Sequence, residues 1–160
     1  MEASAPLLDT FSLRPAADDD GQFLYRLYKS TRVGEMQAWG WPAEQQDMFL
    51  KMQFDARRRA YQAEFPVAEE SIVLIGDAPV GALRINQTAE ELRLIDIALL
   101  PEFRNRGLGG RLIARLIESD VPVALSVARE NPAKRLYERM GFVVEREDAM
   151  YFEMRYKDPS

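Results

Sequence analysis

The chain contains no cysteine and no histidine. Without cysteine there is no disulfide framework, no thiolate metal site and no cysteine nucleophile. Without histidine there is no Ser–His triad, no imidazole general base and no His-ligated metal. A magnesium or calcium site made of carboxylates alone stays open, but no EF-hand spacing is present, and no metal is expected. Basic residues are in deficit: 21 Lys and Arg stand against 26 Asp and Glu, a net charge of −5. That balance argues against a general nucleic-acid binder, which presents a basic surface. Apolar runs fall far short of the ~20 residues that span a bilayer. The start, Met1-Glu2-Ala3-Ser4-Ala5-Pro6, has no basic n-region followed by an apolar h-region. On this reading the protein is cytoplasmic and has no membrane partner.

What is present suits one folded domain over residues 1–160. Hydrophobic residues make up 47%, enough for a packed core, and there is no repeat, low-complexity tract or Gly/Ser linker. Residues 1–9 are expected to be loosely ordered. Thr10 to Arg14 alternates and meets Pro15, which reads as a short strand. Asp18-Asp19-Asp20 supplies a negative first turn for a helix carrying Phe23, Leu24, Leu27 and Tyr28. Residues 33–41 read as a loop, and Pro42 opens a second helix over about 43–63.

From residue 71 the hydrophobic period changes from helical to alternating. Ser71–Ile75, Val80–Asn86 and Glu91–Leu100 read as three strands, the first two joined by the turn Gly76-Asp77-Ala78-Pro79. Leu108, Leu112, Ile113, Leu116 and Ile117 form one face of a helix. Val121–Val127 is a strand, Pro132–Met140 a helix stopped by Gly141, and residues 142–145 and 150–156 are two closing strands. The order β α α β β β α β α β β predicts an α/β (α+β) domain. Its core is a mixed, mostly antiparallel central sheet of about seven strands flanked by about four helices.

The segment Leu99 to Gly110 carries the chemistry. It joins a buried strand to an amphipathic helix, with glycines at 107, 109 and 110 that let a ligand approach the backbone. The first amides of a helix lack intrahelical acceptors and sit at the positive end of its dipole. Residues 101–115 hold Arg104, Arg106, Arg111 and Arg115 against Glu102, a local charge of +3. These features describe a pyrophosphate cradle. It is neither a P-loop nor a dinucleotide fingerprint, because Gly-Lys-Ser/Thr and Gly-x-Gly-x-x-Gly are both missing. A glycine-rich helix start with surface arginines is the plainer alternative.

Arg104-Asn105-Arg106-Gly107-Leu108-Gly109 resembles the Arg/Gln-x-x-Gly-x-Gly/Ala signature of the GNAT superfamily of N-acetyltransferases. Downstream, Asn131 to Phe142 resembles the second signature, Asn…Ala…Leu-Tyr-x-x-x-Gly-Phe, through Asn131, Ala133, Leu136, Tyr137, Gly141 and Phe142. The resemblance covers residues 70–156 and is only topological before them. It implies acetyl-CoA as co-substrate, bound by a core over 91–142. Amides of Ile97, Ala98 and Leu99 would meet the pantetheine arm in a gap between strands. Those of Asn105, Arg106, Gly107, Leu108, Gly109 and Gly110 would hold the pyrophosphate, with Arg104 and Arg106 near the phosphates. Asn131 would contact the pantetheine or cap its helix; it precedes Tyr137 by six positions where many members show seven, a rotation of about 100° on a helix.

The resemblance also implies Tyr137 as general acid toward the departing thiolate, since a phenol is protonated at neutral pH. Packing beside Leu136 and Met140 is its alternative use. For a general base, Asp96 stands out because it interrupts the apolar run Leu94-Ile95-Asp96-Ile97-Ala98. A carboxylate there must be hydrogen-bonded, protonated or facing a cleft, and a purely structural acid is the other reading. Ser126 occupies the position where some relatives carry a glutamate and could orient a water; Glu35, Glu69 and Glu70 are further candidates. Residues 33–62 would wall the acceptor site, with Glu35, Trp39 and Trp41 as substrate contacts, although two tryptophans so placed are also core formers. Asp47, Arg57, Arg58 and Arg59 read as a solvated face.

The sequence therefore leads to an N-acetyltransferase acting by direct attack of a primary amine, on a small molecule or a peptide, in a ternary complex. A non-catalytic acyl-CoA-binding or sensing module of the same fold is the alternative, and a protein for another nucleotide a third. Free edges of such a sheet suit pairing into a homodimer.

Overall fold

The computed structural model describes residues 10–157; the expectation for residues 1–9 lies outside them. Seven strands form one sheet: β1 (Phe11–Pro15), β2 (Glu69–Ile75), β3 (Ala78–Gln87), β4 (Leu92–Leu99), β5 (Val123–Ala128), β6 (Phe142–Glu147) and β7 (Tyr151–Tyr156), in the order β1-β2-β3-β4-β5-β7-β6. Every neighbouring pair is antiparallel except β4 and β5. The helices are α1 (Gly21–Ser30), α2 (Val33–Trp39), α3 (Ala43–Glu64), α4 (Leu108–Ile117) and α5 (Ala133–Arg139). The strands and the four longer or motif-bearing helices follow the expected order. Residues 33–41 do not form the expected loop: α2 occupies seven of them and ends at Gly40, whose φ of 68° is the left-handed stop of a helix. So short a helix, with Gly34 inside it, has too few turns to display an apolar period. Among the described residues no helix is long and apolar enough to cross a membrane.

Alternation along the strands gives the sheet two different faces. On one, α4 buries Leu108, Leu112, Ile113 and Leu116, and α5 buries Tyr137. These side chains share clusters with Leu83, Leu92, Leu94, Leu125, Phe142 and Met154. On the other, α1 packs on β3, β4 and α3, and this face carries charged residues inside its cover. Arg84 of β3 is among them, only 8% exposed.

Two irregularities in β4 create the site. The first is a bulge. Arg84 pairs with Asp96, but its neighbour Ile85 pairs with Leu94, so Ile95 is left unopposed. Strict alternation would put Asp96 on the same face as Leu94, inside the apolar core. The extra residue resets the phase: Ile97 and Leu99 now join Leu94 on the α4 face, and Asp96 points toward α3, where it meets Arg57. The second is a splay. β4 and β5 pair only at Leu92↔Val123, Arg93↔Ala124 and Leu94↔Leu125. Past them β5 stays with β7, through Ser126↔Glu153 to Ala128↔Tyr151, while β4 stays with β3. A wedge opens between Ile95–Leu99 and residues 126–128.

Gly81, opposite Leu99, holds one wall of this wedge in place. A Cβ at Gly81 would lie 2.5 Å from the Ala98 carbonyl oxygen and 2.7 Å from a Leu99 methyl. Gly81→Ala is therefore expected to destabilise by about 1–3 kcal/mol through overpacking. A thermal melt checks this: a fall of about 4–8 °C is expected for a domain of this size, and an unchanged midpoint would contradict it.

Candidate active site

The loop after β4 is shaped by its glycines and by one strained residue. A 3₁₀ turn, Pro101–Phe103, leads into Asn105 and Gly107, both left-handed at φ 59° and 87°. Left-handed residues in succession turn neighbouring amides toward a common point. The first intrahelical bond of α4 runs from the Arg111 N–H to the Gly107 carbonyl, 3.1 Å. The amides of Leu108, Gly109 and Gly110 thus lie at the open, positive end of the helix. A Cβ at Gly109 or Gly110 would sit 3.8–4.0 Å from Leu136, Leu99 or Met140, ordinary packing distances. The protein itself has room for a side chain at both positions. The cradle fits a pyrophosphate.

The two arginines of this loop differ from expectation. Arg104 does not reach into the cradle: its Nε donates to the Leu99 carbonyl at 2.9 Å and its Nη2 to the Ser30 hydroxyl at 3.1 Å. It ties the end of β4 and the start of the loop to the end of α1. Arg106 donates to the Glu102 carbonyl at 2.9 Å and lies over the Phe103 ring, at the exposed rim of the loop.

The register also corrects the amides of β4. The Leu100 N–H donates to the Val80 carbonyl at 2.8 Å, so Ala98, two residues back and opposite Ala82, also turns its backbone groups toward β3. Ile97 and Leu99 turn theirs into the wedge. Of the three amides expected there, Ala98 is not available. The Leu99 carbonyl accepts from Arg104.

Tyr137 and Asp96 lie on opposite sides of the wedge and still interact. Tyr137 is 6% exposed and packs on Phe142. Its hydroxyl has no hydrogen-bond partner among the described residues and is not sealed from solvent. Burial, and then the negative charge of Asp96, push the phenol up to about 12. Asp96 itself is raised above the ordinary carboxylate range. Its side chain is 41% exposed, but it opens into a cleft whose walls withhold water, and this burial is the main cause. Arg57 and Arg84 pull it back down, Glu70 pushes it up, and the Ile97 N–H favours its charged form.

The α3 face around Asp96 is a network that sequence reasoning missed. Arg57 Nη2 donates to Asp96 Oδ1 at 3.1 Å and its Nε donates to the Tyr61 hydroxyl at 3.0 Å. Arg58 holds Glu70 through two bonds of 3.0 and 2.9 Å, and Arg84 pairs with the same carboxylate at 3.2 Å. Arg57 and Arg58 therefore reach acids of the sheet while staying partly exposed, and Asp47 is bonded by Tyr25 and Lys29. Glu69 is exposed. The available signal was the i, i+4 spacing of Arg57 and Tyr61; the partners lie tens of residues away.

Beyond Asp96 the same face opens into a cavity of about 790 Å³. Tyr61, Glu64 and Phe65 line it from the end of α3, Leu94 and Ile95 from β4, and Ser126 from β5. Ser126 donates to Glu153 at 2.8 Å, and Glu153 is gripped by Arg93. Glu35, Trp39 and Trp41 are not among the lining residues. Glu35 pairs with Arg32, and the two tryptophans, 5.3 Å apart between centroids, meet Phe49 edge-on at 5.4 and 5.5 Å. Asn131 caps its own helix, its side-chain oxygen accepting the Ala133 N–H at 2.9 Å. Among the described residues no cluster of three metal-ligating side chains occurs.

A sheet split at its parallel pair, with a phosphate-shaped helix start beside the split, is the architecture of a CoA-dependent acyltransferase. Residues 62–144 match the model of the acetyltransferase (GNAT) domain; the chain belongs to the GNAT acetyltransferase family. Its fold is similar to that of PaiA N-acetyltransferase from Thermoplasma acidophilum, solved in complex with coenzyme A, at 17% identity, 93% and 99% coverage of the two chains and a TM-score of 0.68. An acetyltransferase from Thermus thermophilus gives 20% identity, 91% and 95% coverage and 0.66. The spermidine/spermine N-acetyltransferase SpeG from Vibrio cholerae gives 20%, 93% and 91%, and 0.56. A comparison with curated proteins returns no match.

Because Arg104 fastens β4 to α1, Arg104→Ala is expected to lower the melting temperature of the ligand-free protein by about 2–5 °C. A loss of ligand affinity with no change in that midpoint would instead place the guanidinium on a phosphate.

Proposed function

We propose that this protein is an acetyl-CoA-dependent N-acetyltransferase that acetylates a primary amine by direct attack in a ternary complex. The observation that carries this reading is the split of the sheet after the third β4–β5 pair, beside the open start of α4. When bound, acetyl-CoA supplies an activated acetyl thioester. The amides of residues 105–110 would hold its pyrophosphate, and those facing the wedge at Leu99 and Ile97 its pantetheine arm. The neighbour solved with coenzyme A shares the fold and supports this assignment.

The residues divide the proton work between the two faces. The acceptor enters from the cavity on the α3 face, where Glu64, Glu147, Asp148 and Glu153 outnumber Arg93 and Arg146, a balance that suits a cationic amine. Asp96 takes the ammonium proton, directly or through one water, which frees the nitrogen lone pair. The nitrogen bonds to the carbonyl carbon, the carbon–sulfur bond breaks, and the sulfur takes the proton of the Tyr137 hydroxyl; the second proton of the attacking nitrogen passes through water to the Tyr137 oxygen, and Asp96 releases its own to solvent, leaving a neutral amide and a free thiol. The two groups are coupled. Part of what holds the proton on Tyr137 is the charge of Asp96; once Asp96 is protonated that hold weakens, and the phenol becomes a stronger donor. Holding amine and thioester together supplies much of the rate.

Ligand binding is read first. Saturating acetyl-CoA or CoA, at about 100 times Kd, is expected to stabilise by ~2.7 kcal/mol and raise the melting temperature by about 5–10 °C, with no shift from ATP or NADH. Tyr137→Phe is expected to keep that shift and lower kcat about 100-fold or more. Unchanged turnover would remove Tyr137 as the acid. A shift without turnover of any amine would favour the non-catalytic acyl-CoA-binding module. In the wild type kcat/KM rises with pH as Asp96 loses its proton. With the Tyr137 phenol at about 12, no falling limb from that group is expected below about pH 10; a fall near neutrality would contradict the assignment.

A further inference from the structure

Asp96 is held by one oxygen only. Arg57 Nη2 contacts Oδ1 at 3.1 Å, and among the described residues no side chain bonds Oδ2. A guanidinium meeting a carboxylate frequently adopts the two-bond fork. Here Arg58 and Glu70 do so, one residue further along α3. Arg57 makes a single bond instead: its Nε is committed to the Tyr61 hydroxyl at 3.0 Å, and its guanidinium lies against the rings of Tyr28 and Tyr61, 5.7 and 5.3 Å from their centroids. Tyr28 comes from α1 and Tyr61 from α3, so two helices fix the guanidinium before it reaches the strand.

We infer that Arg57 is a positioning residue for acyl transfer: clamped between Tyr28 and Tyr61, it orients the Asp96 carboxylate at the wedge and leaves Oδ2 free for the acceptor or its water. The inference rests on the reading of Asp96 as general base. A bidentate pair such as Arg58 with Glu70 occupies both carboxylate oxygens; the single bond from Arg57 does not. The residue type matters as well as the charge. A lysine ammonium is a single point and cannot serve Tyr61 and Asp96 through the two ends of a planar fork. Around Asp96 stand Arg57 and Tyr61 from α3, Arg84 from β3, Glu70 from β2 and Tyr137 from α5. Of the two cations, Arg57 is the one hydrogen-bonded to it, while Arg84 is bonded to Glu70.

The test is a carbon-13 carboxyl titration of the acetyl-CoA-bound protein, with Asp96→Asn assigning the signal. Arg57→Gln is expected to move the Asp96 midpoint up by about 0.5–1 pH unit, a discounted effect for a partly exposed pair, and Arg57→Lys by less. An unmoved midpoint in folded Arg57→Gln overturns the proposal. Arg57→Lys, which keeps the charge, serves if the glutamine variant does not fold; it is expected to keep the midpoint within about 0.5 unit but to lower kcat/KM.

Thiol release from acetyl-CoA with pooled free amino acids, spermidine and a lysine peptide is then followed against pH. The rising limb of kcat/KM is expected to move with the carboxyl midpoint in Arg57→Gln and to vanish in Asp96→Asn. A limb that survives in Asp96→Asn removes the base reading and with it the role of Arg57 in the reaction. A midpoint that moves while the limb does not overturns the Arg57 proposal alone.

Discussion

Three paired positions between β4 and β5 govern the rest of this molecule. Parallel strands that stayed together past Leu94 and Leu125 would seal the sheet, and nothing could pass from the α4 face to the α3 face. Because β5 instead follows β7 and β4 follows β3, backbone groups of Ile97 and Leu99 are left facing a wedge. Unpaired backbone groups inside a protein are costly unless something satisfies them. Here part of the answer is built in: Arg104 covers the Leu99 carbonyl. The remainder suits a ligand with its own amides, which is what a pantetheine arm offers.

The bulge at Ile95 is the second constraint, and it decides the chemistry. Without it a carboxylate would be buried among Leu92, Leu94 and Ile113, where its charge would be lost. With it, Asp96 sits on the charged face and feels Tyr137 only across the opening. One extra residue in one strand therefore puts Asp96 and Tyr137, the proposed base and acid, on two faces of the same gap.

Much of this was legible in the sequence. Apolar runs cut by Gly76, Pro101, Pro122 and Gly141 mark the strand and helix boundaries of the second half to within two or three residues. The glycines at 107–110 announce an open helix start. The rest depends on pairing across the chain, which a one-dimensional pattern does not contain. Alternation places Asp96 on the wrong face, because a bulge is a property of two strands. Spacing alone exposes Arg104 to phosphates, whereas its acceptor is a carbonyl five residues earlier and a hydroxyl on α1. The run Arg57-Arg58-Arg59 looks like a solvated helix face, since Asp96 and Glu70 reach it only through the fold. Trp39 and Trp41, separated by Gly40, do cluster, but with Phe49 and not around the cavity.

The central claim is that the wedge is the passage through which an acetyl group reaches an amine. A crystal structure of the acetyl-CoA complex tests it most directly. The account predicts the pyrophosphate against the amides of Leu108 to Gly110, the pantetheine beside Leu99, and the thioester sulfur within hydrogen-bonding distance of the Tyr137 hydroxyl. Its carbonyl carbon would face Asp96 across the gap. A complex with the sulfur turned away from Tyr137, or with the thioester outside the opening between β4 and β5, would contradict it.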